Sequence, residues 1–432
     1  MARNGWGVAV DPSLAPPCKG GGVWRWRILV AALLAAAHLT AVARAETTAA
    51  EAPQLLAPEL IAAGWLQLFD GQTLFGWQPT GDANWRVEEG AIVVDAGAPG
   101  WLMSTVDWAD FELHLEFKAP AATNSGVFLR TAVEPTNPTR DCVEVNIAPR
   151  DNPFPTPSLV GREKLAVPGD AAVSGDQWRV LDIKAIGDKI EIRLDGKLAK
   201  QVLPTVVDRD AQSTPLRGRI GLQFNAGPVA FRHIRLRPLG LEPIFNGKDL
   251  AGWNTDLAEQ SKFQVTDAGE LQILNGRGQL ESDASYGDFV LQLECFVNGD
   301  ALNSGVFFRC IPREFTNGYE SQIKNAMVDG DPTRPVDCGT GGIYRRINAR
   351  RIVAADREWF ANTIVATGPH IAVWVNGYPV TAWTDDRPPH DNPRSGLRTA
   401  PGTLALQGHD PTTDIRFRQL QIKELPPASK IQ

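Results

Sequence analysis

Arg309 closes the apolar run Val306-Phe307-Phe308, and further on Glu320 and Gln322 alternate within Tyr319-Glu320-Ser321-Gln322-Ile323. Side chains two apart on a strand share a face, so Glu320 and Gln322 lie together, and Arg309 joins them if the neighbouring strand pairs suitably. Asn303 stands just before that run, Tyr344, Arg345 and Arg346 follow a Gly-Gly turn, and Gln407, His409 and Asp410 complete the set. An arginine, a carboxylate, amides and a histidine on one face suit a polyol held by directional hydrogen bonds, with nearby Trp rings to stack on a sugar. Strand positions facing solvent are polar in any sheet, however, and an Arg–Glu cross-strand pair merely helps register.

Repetition strengthens the functional reading and leaves the structural one open beside it. Phe69-Asp70-Gly71-Gln72-Thr73-Leu74-Phe75-Gly76-Trp77 returns as Phe245-Asn246-Gly247-Lys248-Asp249-Leu250-Ala251-Gly252-Trp253. Asn124-Ser125-Gly126-Val127-Phe128-Leu129-Arg130 returns as Asn303-Ser304-Gly305-Val306-Phe307-Phe308-Arg309. Glu144 then matches Glu320, Trp178 matches Trp359, and Leu222-Gln223 matches Leu406-Gln407. The offset drifts from 176 to 186, as loop insertions on one scaffold produce. The unit, about 180 residues, is far longer than a solenoid repeat. Arg130, Glu144 and Asn146 are therefore first-copy candidates beside Arg309, Glu320 and Gln322.

The elements that must carry these residues are strands. Phe111-Glu112-Leu113-His114-Leu115-Glu116-Phe117 alternates strictly, as do Lys189–Leu194 and Leu420-Gln421-Ile422-Lys423. Period two with glycine-bearing turns marks half-buried antiparallel strands, and Gly187-Asp188 sits where a hairpin turn belongs. No convincing amphipathic helix follows residue 45. Short strands in units of this size predict two tandem jelly-roll β-sandwiches, an all-β chain. Gly126 and Gly305 read as bulge positions. Trp77 and Trp253 read as core anchors.

Composition narrows the function classes. The 432 residues are 43% hydrophobic and 22% charged, which excludes a disordered chain. The formal charge of −7 argues against a nucleic-acid partner. Arg25 and Arg27 precede an apolar run, Ile28 to Leu39, that ends in Ala43-Arg44-Ala45. This is the pattern of a secretory signal over 1–45, with an uncleaved anchor as the alternative. Removing it moves the charge to −11, because five basic residues leave with one acidic one. Residues 46–63 read as a flexible leader, 64–240 and 241–426 as the two domains, and 427–432 as a tail. Export to the periplasm or medium permits disulfides, and Cys295 with Cys310 is one candidate pair; buried free thiols are the other reading. No compact Cys/His metal spacing appears, which leaves an oxygen-ligated divalent cation beside Glu320 or Asp410 as the one cofactor still open.

The joint set Phe-Asp-Gly-x-x-Leu-x-Gly-Trp, Asp-Phe-Glu-Leu, Asn-Ser-Gly-Val-Phe-x-Arg and the terminal Phe-Arg-x-Ile/Leu-x-Ile/Leu resembles the 3-keto-disaccharide hydrolase family, over roughly 64–238 and 242–425. The resemblance implies a concanavalin A-like jelly roll, often exported, that acts on glycosides already oxidised to a ketone at sugar carbon 3. It also implies a companion sugar-oxidising dehydrogenase. Such chemistry needs a base for the C2 proton, a positive group at the enolate oxygen and a proton source for the leaving group. Glu320 or His409 fits the acid/base roles, Arg309 the enolate oxygen, and Gln322 and Gln407 substrate hydroxyls. Tyr344, Arg345, Arg346 and Asn303 would line the substrate. The first copy has no equivalent of His409, so another specificity, the other half-reaction or binding alone is open to it. A lectin-like module or an interaction scaffold is the competing class.

Overall fold

The computed structural model of the chain describes residues 52–137, 140–166, 177–202 and 215–427. The expected signal segment and the tail from 428 onwards lie outside them. No helix of the described residues is long and apolar enough to cross a membrane.

Each half is a jelly-roll sandwich of two antiparallel sheets. In the first, the larger sheet runs through Arg86–Glu88, Ala91–Val94, Val229–Pro238, Phe111–Lys118, Arg179–Ile186, Lys189–Leu194 and Lys197–Val202, with Leu66–Gln67 added beside Val229–Pro238. Its smaller sheet runs through Trp77–Thr80, Gly100–Ser104, Arg219–Ala226, Asn124–Thr131 and Val143–Ile147. The second half repeats the plan. Its larger sheet is Lys262–Val265, Leu271–Leu274, Asp414–Glu424, Phe289–Val297, Trp359–Thr367, His370–Val375 and Tyr378–Thr384, with Glu242–Pro243 beside Asp414–Glu424. Its smaller sheet is Trp253–Asn254, Gly278–Tyr286, Gly402–Gly408, Ser304–Cys310 and Tyr319–Ile323.

The alternation seen in the sequence sets which side chains fill the cores. Phe111, Leu113, Leu115 and Phe117 point inward, and Phe289, Leu291, Leu293, Cys295 and Val297 do the same in the second copy. Each large apolar side chain so buried contributes about 1.5–3 kcal/mol. The intervening positions face outward and pair across strands, as Glu112 does with Arg237 and Lys184. Trp77 and Trp253 are buried anchors whose indole N–H groups donate to Leu68 O at 2.6 Å and Ile244 O at 2.9 Å. Trp178 and Trp359 behave differently: they are half-buried and lie under Arg232 at 4.1 Å and Arg418 at 4.0 Å.

The two sandwiches pack directly on each other. Val290, Val365, Ala372 and Trp374 of the second larger sheet join the first copy's core, where the Trp374 and Trp108 rings lie 5.7 Å apart. Arg217 bridges Asp107 of its own copy and Asp288 of the other, at 2.9 and 2.6 Å. Arg350 reaches Asp70 across the junction at 2.8 Å. Within the stretch read as a flexible leader, Pro58–Ala62 forms a helix, and just beyond its end Gly64 O accepts a hydrogen bond from Gln292 Nε2 at 3.1 Å. Proline at the first turn favours a helix start, and docking on the second copy orders what composition alone leaves loose.

Cys142, Cys295, Cys310 and Cys338 are free thiols. Cys295 faces the inter-sheet core, whereas Cys310 clusters with Phe307 and Ala405 on the other side of the smaller sheet. The suggested pair therefore points to different sides of that sheet.

Candidate functional site

The site is built on the smaller sheet of the second copy, on the face turned away from the core. Val306 and Phe308 point into the core, so Gly305 and Phe307 face outward. Register then places Gln322 opposite Gly305 and Glu320 opposite Phe307. On the other flank Val306 pairs with Leu406, which turns Gln407 to the same side, and Gln279 lies opposite Gln407. Glu320, Gln322, Gln407 and Gln279 thus share one surface, with Glu281 two residues beyond Gln279.

Glu320 is the chemically distinctive group. It is 5% exposed, and burial pushes its carboxyl up from 4.5 to about 7 despite an opposing ion pair with Arg394 at 3.0 Å. Arg394 donates from Nε to Thr316 O at 2.9 Å, and its guanidinium lies 5.3 Å from the rings of both Phe307 and Tyr344. Its loop is fastened by Asp385, which accepts from Tyr319 Oη at 2.6 Å and from Arg387 at 2.7 Å. Arg346 adds a bond to Arg394 O at 2.6 Å. Arg394 is accordingly a fixed cation over a poised carboxyl.

Gly305 has a different purpose from the bulge that sequence suggests. A Cβ there would stand 2.7 Å from Glu320 Oε1, so glycine lets the carboxyl lie against the backbone. Gly126 serves Glu144 likewise, with a Cβ at 3.0 Å from Oε1. Gly305→Ala is expected to push the Glu320 carboxyl off the backbone and move its titration midpoint while shifting the urea midpoint little. NMR titration of the carboxyl and urea unfolding of one preparation check both halves.

Arg309 is not brought to this face. The register slips between Phe307 and Cys310, and Arg309 has φ +49°, so the bulge falls here and turns the side chain away. Its guanidinium is fully buried and donates to Gly287 O at 3.0 Å, Gly368 O at 2.7 Å, Arg398 O at 3.1 Å and Asp288 Oδ1 at 2.7 Å. Arg130 is caged in the same way by Ala109 O at 2.7 Å, Gly187 O, Pro215 O at 3.3 Å and Asp110 at 3.1 Å. Both arginines hold the sandwich together, and neither lies on the face that carries Glu144 or Glu320.

The remaining candidates gather at one end of the face. Gln322 Nε2 donates to Asp337 O at 3.0 Å and to its Oδ2 at 3.1 Å, and Asn303 Nδ2 donates to the same carboxylate at 3.2 Å. Asn303 Nδ2 also lies 3.3 Å from His409 Nε2, while His409 Nδ1 lies 2.9 Å from Asp410 Oδ2. Both His409 and Asp337 act electrostatically on Glu320. Four buried amide atoms here, Gln322 Oε1, Gln407 Oε1, Asn303 Oδ1 and Gln279 Nε2, have no partner among the described residues. Convergent unpaired amides of this kind are suited to ligand hydroxyls. Tyr344 stands at the rim and Arg345 is exposed beside it, 5.2 Å from its ring. Among the described residues, no group of three or more His, Cys, Asp and Glu side chains is placed to hold a metal ion.

Arg394, Asp337, Gln279 and Glu281 are absent from the sequence reading. Gln279 and Glu281 alternate in Gly278-Gln279-Leu280-Glu281 with the same parity signal as Glu320 and Gln322. Arg394 and Asp337 come from irregular loops, where no periodicity exists to read. In the first copy Glu144 and Asn146 occupy the equivalent face, and burial raises Glu144 to about 7 as well.

The chain matches the family described as 3-keto-alpha-glucoside-1,2-lyase-like domain twice, over residues 64–237 and 240–423. Among solved structures it is similar to a putative glycosyl hydrolase from Parabacteroides distasonis, at 18% identity and TM-score 0.38, over 44% of this chain and all of that one. A second putative glycosyl hydrolase from that organism gives 26% identity and TM-score 0.35, over 43% of this chain and all of that one. The carbohydrate-binding module CBM66 from Bacillus subtilis gives 14% identity and TM-score 0.29, over 38% of this chain and 95% of that one. No curated protein sequence matches the chain.

Proposed function

The chain belongs to the 3-keto-alpha-glucoside-1,2-lyase-like family, as two tandem copies, and from that premise we propose that its second copy cleaves glycosides carrying a ketone at sugar carbon 3. One observation carries the reading. A buried carboxyl poised near neutrality, Glu320, lies beneath a fixed guanidinium on a face of unpaired amides.

A C3 ketone acidifies the C2 proton. Glu320, as carboxylate, takes that proton, and the C2–H electron pair becomes the enediolate. Arg394 stabilises the developing oxyanion in the role that sequence assigns to Arg309, since a fixed cation needs no reorganisation as charge develops. The enediolate collapses with loss of the C1–O bond, giving the 2-hydroxyglucal and an alkoxide that is protonated as it leaves. His409, its Nδ1 held by Asp410, is the donor for that oxygen. Addition of water across the double bond, oxygen to C1 and proton to C2, completes a net hydrolysis. Gln322, Gln407 and Asn303 hold sugar hydroxyls throughout. The ketone requires a prior two-electron oxidation at C3, so a sugar-oxidising dehydrogenase stands upstream. The N-terminal signal pattern supports export, and with it a reaction outside the cytoplasm.

The test is incubation of the purified chain with a 3-keto-glucoside while following release of the aglycone. Turnover sensitive to Arg394→Met supports the proposal, with kcat expected to fall about 10²-fold, the scale of losing one oxyanion-stabilising group. Saturable sugar binding with no turnover would replace it by a lectin-like role, and neither activity by a scaffold.

A further inference from the structure

The two copies present different chemistry at equivalent positions of the same face. Where Gln279 stands opposite Gln407, Trp101 stands opposite Gln223. Where Glu281 faces Ala405, Met103 faces Gly221. Gln322 donates to the backbone of Asp337, whereas its counterpart Asn146 donates to the backbone of Phe154. Tyr344 N bonds to Glu320 O, whereas Val160 N bonds to Glu144 O. Four polar or amphipathic side chains have thus become Trp, Met, Phe and Val. His409, two places after Gln407, has Asn225 as its counterpart.

The sugar-facing polar groups are nonetheless retained. Glu144, Asn146 and Gln223 keep their places, and Asn146 is 4% exposed, its Oδ1 and Gln223 Oε1 both without a partner among the described residues. Trp101 is half-buried and packs 5.9 Å from the Phe128 ring, which fixes it as a platform. Burial that holds Glu144 near neutrality also lets it donate as a carboxylic acid, since it has no ion pair among the described residues to keep it charged.

We propose that the first copy is a binding site for a glycoside with an aromatic aglycone, the aglycone ring seated on Trp101 and the sugar hydroxyls held by Asn146, Gln223 and Glu144. The proposal rests on the sugar-directed reading of the second copy and assigns the first a different ligand class. Without the Asp337 carboxylate and the His409 imidazole, the site retains substrate instead of turning it over. Ring stacking beyond simple burial adds about a factor of ten in affinity.

Calorimetric titration of the full chain carrying Glu320→Gln tests this, with 4-nitrophenyl β-glucoside and methyl β-glucoside as probes. The nitrophenyl glycoside is expected to bind about tenfold more tightly. Trp101→Gln, which installs the second copy's residue, should bring the two affinities within threefold. Trp101→Leu, which keeps an apolar side chain but no ring, should narrow the gap also and guards against a folding defect in the Trp101→Gln variant. Equal affinity for the two probes overturns the proposal, as does a preference that survives both substitutions or maps to Gln279→Leu in the second copy. Turnover of a 3-keto-glucoside by the unmodified chain reports separately on the second copy, so either reading can fail alone.

Discussion

Arg309→Met is expected to cost the chain about 3–5 kcal/mol of stability, the range for removing one partner of a buried ion pair. The guanidinium is fully buried, and its removal takes one cationic partner from the Asp288 carboxylate and leaves three backbone carbonyls without that donor. Methionine fills the volume but returns none of those bonds. Arg309→Lys should recover little, because an ammonium cannot satisfy a fork of carbonyls and a carboxylate at once. Asp288 also pairs with Arg217 at 2.6 Å, so the damage extends into the junction between the copies. Urea unfolding at neutral pH measures the loss. The folded fraction that survives at low temperature should turn over substrate at the normal kcat. A stable variant with lost kcat would instead return Arg309 to the reacting centre and undo the assignment of Arg394.

The fate of Arg309 shows where legibility stops. Alternation reads a strand correctly while the register runs true, which is why Glu320, Gln322 and Gln407 were recognisable as one face. A one-residue slip reverses the facing of everything beyond it, and neither Arg309 nor Cys310 announces that slip in the sequence. The retention of Arg130 and Arg309 in both copies looked like a site signal, yet the two guanidiniums build identical cages under diverged faces. Repetition marks what the scaffold cannot lose, and a buried arginine fork belongs to that class as readily as a catalytic acid. Asp337 and Arg394 lay beyond reach for the opposite reason. They arrive from loops fixed by contacts distant in sequence, such as Tyr319 with Asp385 and Arg394 with Thr316. The sandwiches themselves were legible because strand period and core burial are the same fact seen twice, as Phe111–Phe117 and Phe289–Val297 demonstrate.

Glu320→Gln should abolish most turnover and, unusually for a buried charged group, make the fold more stable above neutrality. A positioned general base contributes about 10²–10⁴-fold, so kcat is expected to fall by that factor. The carboxylate is the working form, and burial raises its pKa from 4.5 to about 7. Activity of the unmodified chain should therefore climb about tenfold per pH unit below 7, and this limb should vanish in the variant. The stability sign runs the other way. An acid whose folded pKa exceeds its unfolded value leaves the native state fully favoured below about 4.5 and penalised progressively as pH rises to 7. At 1.36 kcal/mol per pKa unit the penalty approaches about 3 kcal/mol, already net of the attraction of Arg394. Glutamine keeps the shape and carries no charge to desolvate, so urea midpoints of the two proteins should agree near pH 4.5 and diverge in the variant's favour by pH 8. Activity lost together with stability gained is the mark of a group kept for chemistry at the expense of the fold. Retained turnover with the pH limb intact would move the proton to His409, and a variant less stable at pH 8 would make Glu320 a structural partner of Arg394.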